Sequence, residues 1–115
     1  MKRLGQIITV VAFILLLCQN SFSQKVYKVD YESQADLKVY IVDYESQCDL
    51  KVYWVQYESQ ADEDGLWYPV QYESQADKKI YFVDYESQAD LKIYIVDYES
   101  QAGWRNMKKS HLLKF

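Results

Sequence analysis

The chain has 115 residues, of which 50% are hydrophobic and 26% charged, with three Gly and one Pro. That balance excludes a disordered, collagen-like or Gly/Pro-rich chain, and the length suits one domain. Two Cys exclude a disulfide framework and one His excludes a His-based metal cluster; the anomaly is twelve Tyr.

Met1-Lys2-Arg3 is a short positive start, and Ile7 to Cys18 is an almost unbroken apolar run. Gln19 to Gln24 follows, with small residues at Ser21 and Ser23, the spacing a signal peptidase needs. This three-part layout predicts a secretory signal peptide over residues 1–23, cleaved between Ser23 and Gln24. The apolar run is too short to cross a bilayer, which takes about 20 residues, so no stable membrane span is expected. A lipoprotein acylated at Cys18 is the lesser alternative, because the large Leu17 stands where a small residue is wanted. The mature protein is expected to be periplasmic or extracellular. Cleavage removes Lys2 and Arg3, leaving 11 basic against 17 acidic residues and a charge of −6. Nucleic acid is a poor partner for such a surface, since phosphate binding rests on Lys and Arg. Of the two Cys only Cys48 remains, so no intramolecular disulfide is expected.

The rest of the chain is a repeat. Tyr-Glu-Ser-Gln begins at residues 31, 44, 57, 72, 85 and 98, in steps of 13, 13, 15, 13 and 13. Six units tile residues 25–104, and a single unit of this kind cannot bury its own apolar face. Val39 to Tyr44 is β-branched and aromatic, which predicts a strand. Alternation puts Tyr40, Val42, Tyr44, Ser46 and Cys48 on one face and Asp43, Glu45 and Gln47 on the other. Val39 and Ile41 share the acidic face, so the first half of each strand is apolar on both sides, the mark of a strand covered twice. Ser46-Gln47-Cys48-Asp49 imitates a capping box and predicts a single helical turn, with Ser33, Ser46, Ser59, Ser74, Ser87 and Ser100 as caps.

Units three and four depart together. Asp62-Glu63-Asp64-Gly65 adds two residues, and Pro69 inside a strand pattern predicts an edge or a bulge. A six-repeat β domain over residues 24–104 then divides into halves, 25–65 and 66–104, related by pseudo-symmetry. The tail, residues 105–115, carries Arg105, Lys108, Lys109 and Lys114 with no acid, beside an array of 7 Lys against 17 acids. It is expected to dock on the array through charge, with Trp104, Leu112, Leu113 and Phe115 as apolar anchors.

The motif stands as Tyr31-Glu32-Ser33-Gln34-Ala35-Asp36 and again at Tyr85 to Asp90. It resembles an uncharacterised family of short bacterial proteins built from tandem Tyr-x-Ser-x-Ala-Asp repeats, and the Gly103-Trp104-Arg105-Asn106 ending is similar too. The resemblance implies a mainly β fold whose chain is tied in a deep torus knot with seven crossings. It brings no activity and no catalytic residues. Departures are Cys48 at an Ala position, Gly103 at the last Asp position, and the insertion at Asp62–Gly65. Physics alone does not propose a knot, since true knots are nearly absent from proteins.

Three rows of like residues bear on chemistry. The Tyr rows, Tyr27, Tyr40, Tyr53, Tyr68, Tyr81 and Tyr94 with Tyr31, Tyr44, Tyr57, Tyr72, Tyr85 and Tyr98, are read as the repeat core rather than a binding platform. The carboxylates Asp30, Asp43, Asp84 and Asp97, with Glu32, Glu45, Glu86 and Glu99, lack the spacing of a calcium loop and are read as a solvated face. Asp62 and Asp64 are the best, still weak, cation candidates. Enzymatic readings fail on inventory: His111 is the only imidazole, and a Ser or Cys nucleophile needs a base. No phosphate loop, zinc spacing or nucleotide fingerprint is present, so no cofactor is expected. The expectation is therefore an exported, kinetically stable, monomeric structural or binding domain that is not an enzyme. Its alternative is an extracellular self-assembling or surface-binding repeat protein, joined through exposed strand edges.

Overall fold

The computed structural model describes residues 24–113; the predicted signal peptide, Cys18 and Phe115 lie outside them. Six strands follow the repeat: β1 (Lys25–Lys28), β2 (Leu37–Ile41), β3 (Leu50–Trp54), β4 (Leu66–Pro69), β5 (Lys78–Phe82) and β6 (Leu91–Ile95). A two-residue β7 (Gly103–Trp104) and a 3-10 segment, Met107–Leu113, end the chain. Each of the six strands is followed by one 3-10 turn, the first being Glu32–Gln34 and the last Glu99–Gln101. The strands share one sheet in the order β4-β1-β5-β2-β6-β3, and β3 also pairs with β4, so the sheet closes into a barrel. Every pairing among these six is parallel; only β7 runs antiparallel, against β3.

Consecutive units are not neighbours, except units three and four. Strands of the two halves alternate around the ring, so the halves interdigitate instead of lying side by side. The chain advances two places at each repeat, except between β3 and β4, and each connection must pass outside the strand it skips. The turn after β1 overlies β5, that after β2 overlies β6, that after β4 overlies β1, and that after β5 overlies β2. Each half therefore encloses strands of the other. Neither can be withdrawn without threading.

The register explains how identical units tolerate this. Tyr27 pairs with Lys79, Lys38 with Tyr81, Tyr40 with Lys92 and Lys51 with Tyr94. Each strand is thus set back by two residues of the repeat relative to its neighbour, and the same offset holds at β3–β4 and β4–β1. An even offset keeps every side chain on its own face. Six such steps give a shear of twelve for six strands, a tilt of about 54° from the barrel axis. Equivalent positions then lie at one height.

The innermost ring is Val26, Val39, Val52, Trp67, Ile80 and Ile93, all buried. Leu37, Leu50 and Leu91 lie in the ring toward the strand starts, where Leu113 joins the core and Trp104 and Leu112 pack against it. Trp54, Phe82 and Ile95 form the ring at the strand ends, where Trp54 meets Trp67 edge-to-face at 5.8 Å between centroids. The inward face is thus Leu37 and Val39, the face of opposite parity to Tyr40. Six strands enclose a lumen filled by aliphatic side chains together with Trp67, Trp54 and Phe82, whereas a Tyr placed there would strand its hydroxyl.

Outside the barrel lies a second apolar layer. Val29, Val42, Val55, Val83 and Val96, with Cys48 and Ala61, are buried beneath the connections. Around Val55 and Ala61 they meet the half-buried strand residues Tyr53 and Tyr68. The two-sided apolar strands of the sequence are accounted for by these two layers. Pro69 is neither at an edge nor in a bulge. Tyr68 and Val70 donate to Gln24 and Val26 of the β1 side, so Pro69 turns its nitrogen toward β3, whose ladder ends at Trp54–Trp67.

Gly65 has φ +94°, and a Cβ there would stand 2.6 Å from the Lys51 carbonyl oxygen; Gly103 has φ +142° but open space around it. Gly65→Ala is expected to cost at least ~2 kcal/mol, and Gly103→Ala about 1 kcal/mol. Denaturant titration of the two variants compares them directly, and equal losses would contradict the packing at Gly65.

Candidate functional site

The feature repeated most faithfully on the surface is the connection itself. Tyr31 is extended, with φ −128° and ψ 137°, and Glu32-Ser33-Gln34 forms one 3-10 turn. The turn is closed by backbone: Gln34 N–H donates to the Tyr31 carbonyl at 3.0 Å and Ala35 N–H to that of Glu32 at 3.1 Å. The other five turns repeat these bonds. Ser33, Ser46, Ser59, Ser74, Ser87 and Ser100 are not the caps that the sequence suggests, since each is the middle residue of its turn. The residue ahead of each turn is the Tyr, with no side-chain cap on its turn. Only at the third turn does a side chain assist, where Gln60 Oε1 accepts from the N–H groups of Gln56 and Tyr57 at 3.2 and 3.0 Å.

Tyr31, Tyr44, Tyr57, Tyr72, Tyr85 and Tyr98 are 64% to 68% exposed, so they are not core residues. They form a ring of six phenols around the barrel, because the register puts equivalent positions at one height. The other row, Tyr27, Tyr40, Tyr53, Tyr68, Tyr81 and Tyr94, is half-buried on the outer face of the strands. The tyrosines are divided between interlayer and solvent, and none of them enters the lumen.

The repeated Asp after Ala is the residue whose role sequence reasoning missed. Asp36, Asp49, Asp77 and Asp90 each donate their own N–H to a Lys carbonyl of another unit and accept that Lys N–H on Oδ2. The partners are Lys79, Lys92, Lys25 and Lys38, at 2.7 to 3.1 Å. Each clamp ties one connection to the strand that it crosses. Asp49, itself buried, adds bonds from Asn106 Nδ2 to its Oδ1 and from the Arg105 and Asn106 N–H groups to its carbonyl. The available signal was repetition of the Asp in every unit except the last, where the chain leaves the barrel.

Lys–Glu pairs at 3.3 to 3.8 Å decorate the same surface, Lys38–Glu32 and Lys92–Glu86 among them. Pairs this exposed contribute little. Docking of the tail uses apolar anchors and neutral hydrogen bonds more than the charge expected of it. Lys109 Nζ donates to the Asp90 carbonyl, and the ion pairs found among the described residues all involve array lysines.

The cation candidates separate. Asp64 accepts from Gln24 Nε2 at 2.5 Å on Oδ1 and from Trp104 Nε1 at 2.7 Å on Oδ2, which makes it a clasp between the first and last residues of the array. Asp62 is exposed. Among the described residues no group of three or more His, Cys, Asp and Glu is placed to hold a metal. His111 is exposed, with Nδ1 3.1 Å from the Lys108 carbonyl. Cys48 is buried, and burial pushes its thiol above the ordinary range despite the nearby Arg105. Clefts of about 680, 440 and 500 Å³ lie where connections cross strands, the last lined by Cys48, Asp49, Lys92 and Arg105. They are repeats of one structural feature.

Asp49→Ala is expected to cost about 2–3 kcal/mol by unpairing buried backbone donors, against less than about 0.5 kcal/mol for Asp43→Ala. Tyr44→Ala is expected to stay within about 0.5 kcal/mol, whereas Tyr40→Ala loses at least ~1 kcal/mol of interlayer packing. Equilibrium unfolding of the four single variants reads all of these values.

No curated protein matches this chain. The model of one protein family, the 7(1) septoil knot domain, matches residues 23–105, which span the whole of the interleaved barrel. The chain belongs to the septoil knot domain family.

Proposed function

We propose that the protein is an exported, non-catalytic scaffold whose interlocked barrel persists outside the cell and presents six copies of Tyr-Glu-Ser-Gln to a binding surface. The observation that carries this reading is the ring of six exposed Tyr on turns held by backbone bonds. Exposed aromatic rings on rigid supports supply contact area at low entropic cost, and repetition around a ring multiplies weak contacts. The family carries no assigned catalytic function. The non-catalytic reading is further supported by the surroundings of His111 and Cys48: the imidazole is solvated in the tail, and the thiol is buried, with burial pushing it above its ordinary range and away from the reactive thiolate. Closure of the barrel weighs against assembly through strand edges, since all six repeat strands are paired on both sides.

Persistence is tested by unfolding kinetics. The interleaved halves impose threading on any route out of the native state, so unfolding in strong denaturant is expected to take hours or longer. Cys48 is the clock: its alkylation should keep pace with loss of Trp fluorescence, because the buried thiol reacts only after opening. Complete unfolding within seconds would overturn the persistence. Display is tested by comparing the processed protein with a variant carrying Tyr→Ser at positions 31, 44, 57, 72, 85 and 98. Retention on envelope and culture-medium fractions should fall at least tenfold for the variant, with its unfolding rate unchanged. Equal retention would remove the Tyr ring from the function.

A further inference from the structure

Gln24 is the first residue of the array and is 4% exposed, a buried polar side chain at a point where the expected cleavage creates a chain end. All of its hydrogen-bonding groups are engaged. Its backbone N–H donates to the Ala61 carbonyl at 3.0 Å, and its carbonyl accepts from Tyr68 N–H at 3.0 Å. Its carboxamide donates through Nε2 to Asp64 Oδ1 at 2.5 Å and accepts on Oε1 from Gly65 N–H at 3.2 Å. Three of these four partners, Ala61, Asp64 and Gly65, come from the end of unit three, and the last two lie in the loop that two added residues enlarge in this unit alone. Asp64 holds Trp104 with its other oxygen, so the pocket is braced from the far end of the array.

We propose that the enlarged Asp62–Gly65 loop is a socket for the N-terminal residue of the processed chain, and that it keeps this residue as an open, uncyclised glutamine. The inference rests on cleavage between Ser23 and Gln24. A free N-terminal Gln is chemically labile. Its α-amine attacks the side-chain Cδ, a new C–N bond closes a five-membered lactam, and the C–Nε2 bond breaks. The former amide nitrogen leaves as ammonia with the proton lost by the α-amine, and no oxidant, reductant or other reactant is consumed. Closure requires Cδ to fold back onto the α-nitrogen. In the socket the α-nitrogen is bound to Ala61 while both carboxamide heteroatoms are held on Asp64 and Gly65, so closure demands release of every anchor. Burial also denies an aminopeptidase the extended chain end that it needs.

The experiment is N-terminal sequencing and intact mass of the exported protein, fresh and after prolonged incubation at 37 °C. The expected result is a readable Gln24 with no loss of ammonia from the folded protein, and cyclisation of the same sample once it is unfolded in denaturant. Asp64→Ala should become blocked at least tenfold faster than the unaltered protein. Asp64→Asn, which keeps a carbonyl acceptor for Gln24, should lie between them and covers the case in which Asp64→Ala does not fold. A folded protein already blocked at Gln24 would overturn the socket. So would Asp64 variants that cyclise no faster. An N-terminus at another residue would overturn the cleavage site, and with it the premise, which separates that failure from failure of the socket.

Discussion

The advance of two places per repeat around a six-strand ring governs the rest of this molecule. Because each connection skips one strand, it must run outside the barrel, and because the skipped strand belongs to the other half, each half encloses the other. The even set-back of two residues makes this possible for near-identical units, since any odd offset would turn alternate strands inside out. Short strands of four or five residues suffice because the steep tilt wraps them far around a narrow lumen. The slow unfolding proposed for this protein would follow from the winding and would not depend on unusually strong contacts.

A chain wound over itself needs two apolar layers, and the repeat supplies both. Leu, Val, Ile and Trp67 of the strands fill the lumen, while the Val before each turn and the Ala or Cys after it seal the connection onto the strand beneath. The Asp clamps satisfy backbone groups where the connection returns to the ladder, a place where unpaired N–H groups would otherwise be buried. Once these demands are met, the four residues Tyr-Glu-Ser-Gln are left over. Apart from the half-buried Gln60 they face solvent in every unit, and the function proposed for the protein lies with them.

The pattern has one break, and the chain ends gather there. Between β3 and β4 the connection advances only one place, and two added residues enlarge the loop that takes it. Asp64 in that loop joins Gln24 to Trp104, while β7 fills the length of β3 that the late start of β4 leaves bare. Closing the ring and fastening the ends are thus one structural event.

The sequence by itself determined the repeat length, the strand in each unit, the single helical turn that follows, the two-sided apolar strand and the anchoring of the tail by Leu112 and Leu113. Each of these is local: β-branched composition, a spacing of thirteen, or an apolar residue beside a basic stretch. Tertiary structure decided which side of the strand faces inward. A strand apolar on both faces has no polar face to mark the outside, so Tyr40 and Val39 were equally plausible core residues until the lumen excluded a phenol. It also decided the role of Ser33 and its copies, because backbone bonds close a turn this short without help from a hydroxyl. Strand order lay beyond the sequence for a deeper reason. Six near-identical units are interchangeable as pairing partners, and only connection length, barrel closure and the two extra residues at Asp62–Gly65 distinguish one arrangement from another.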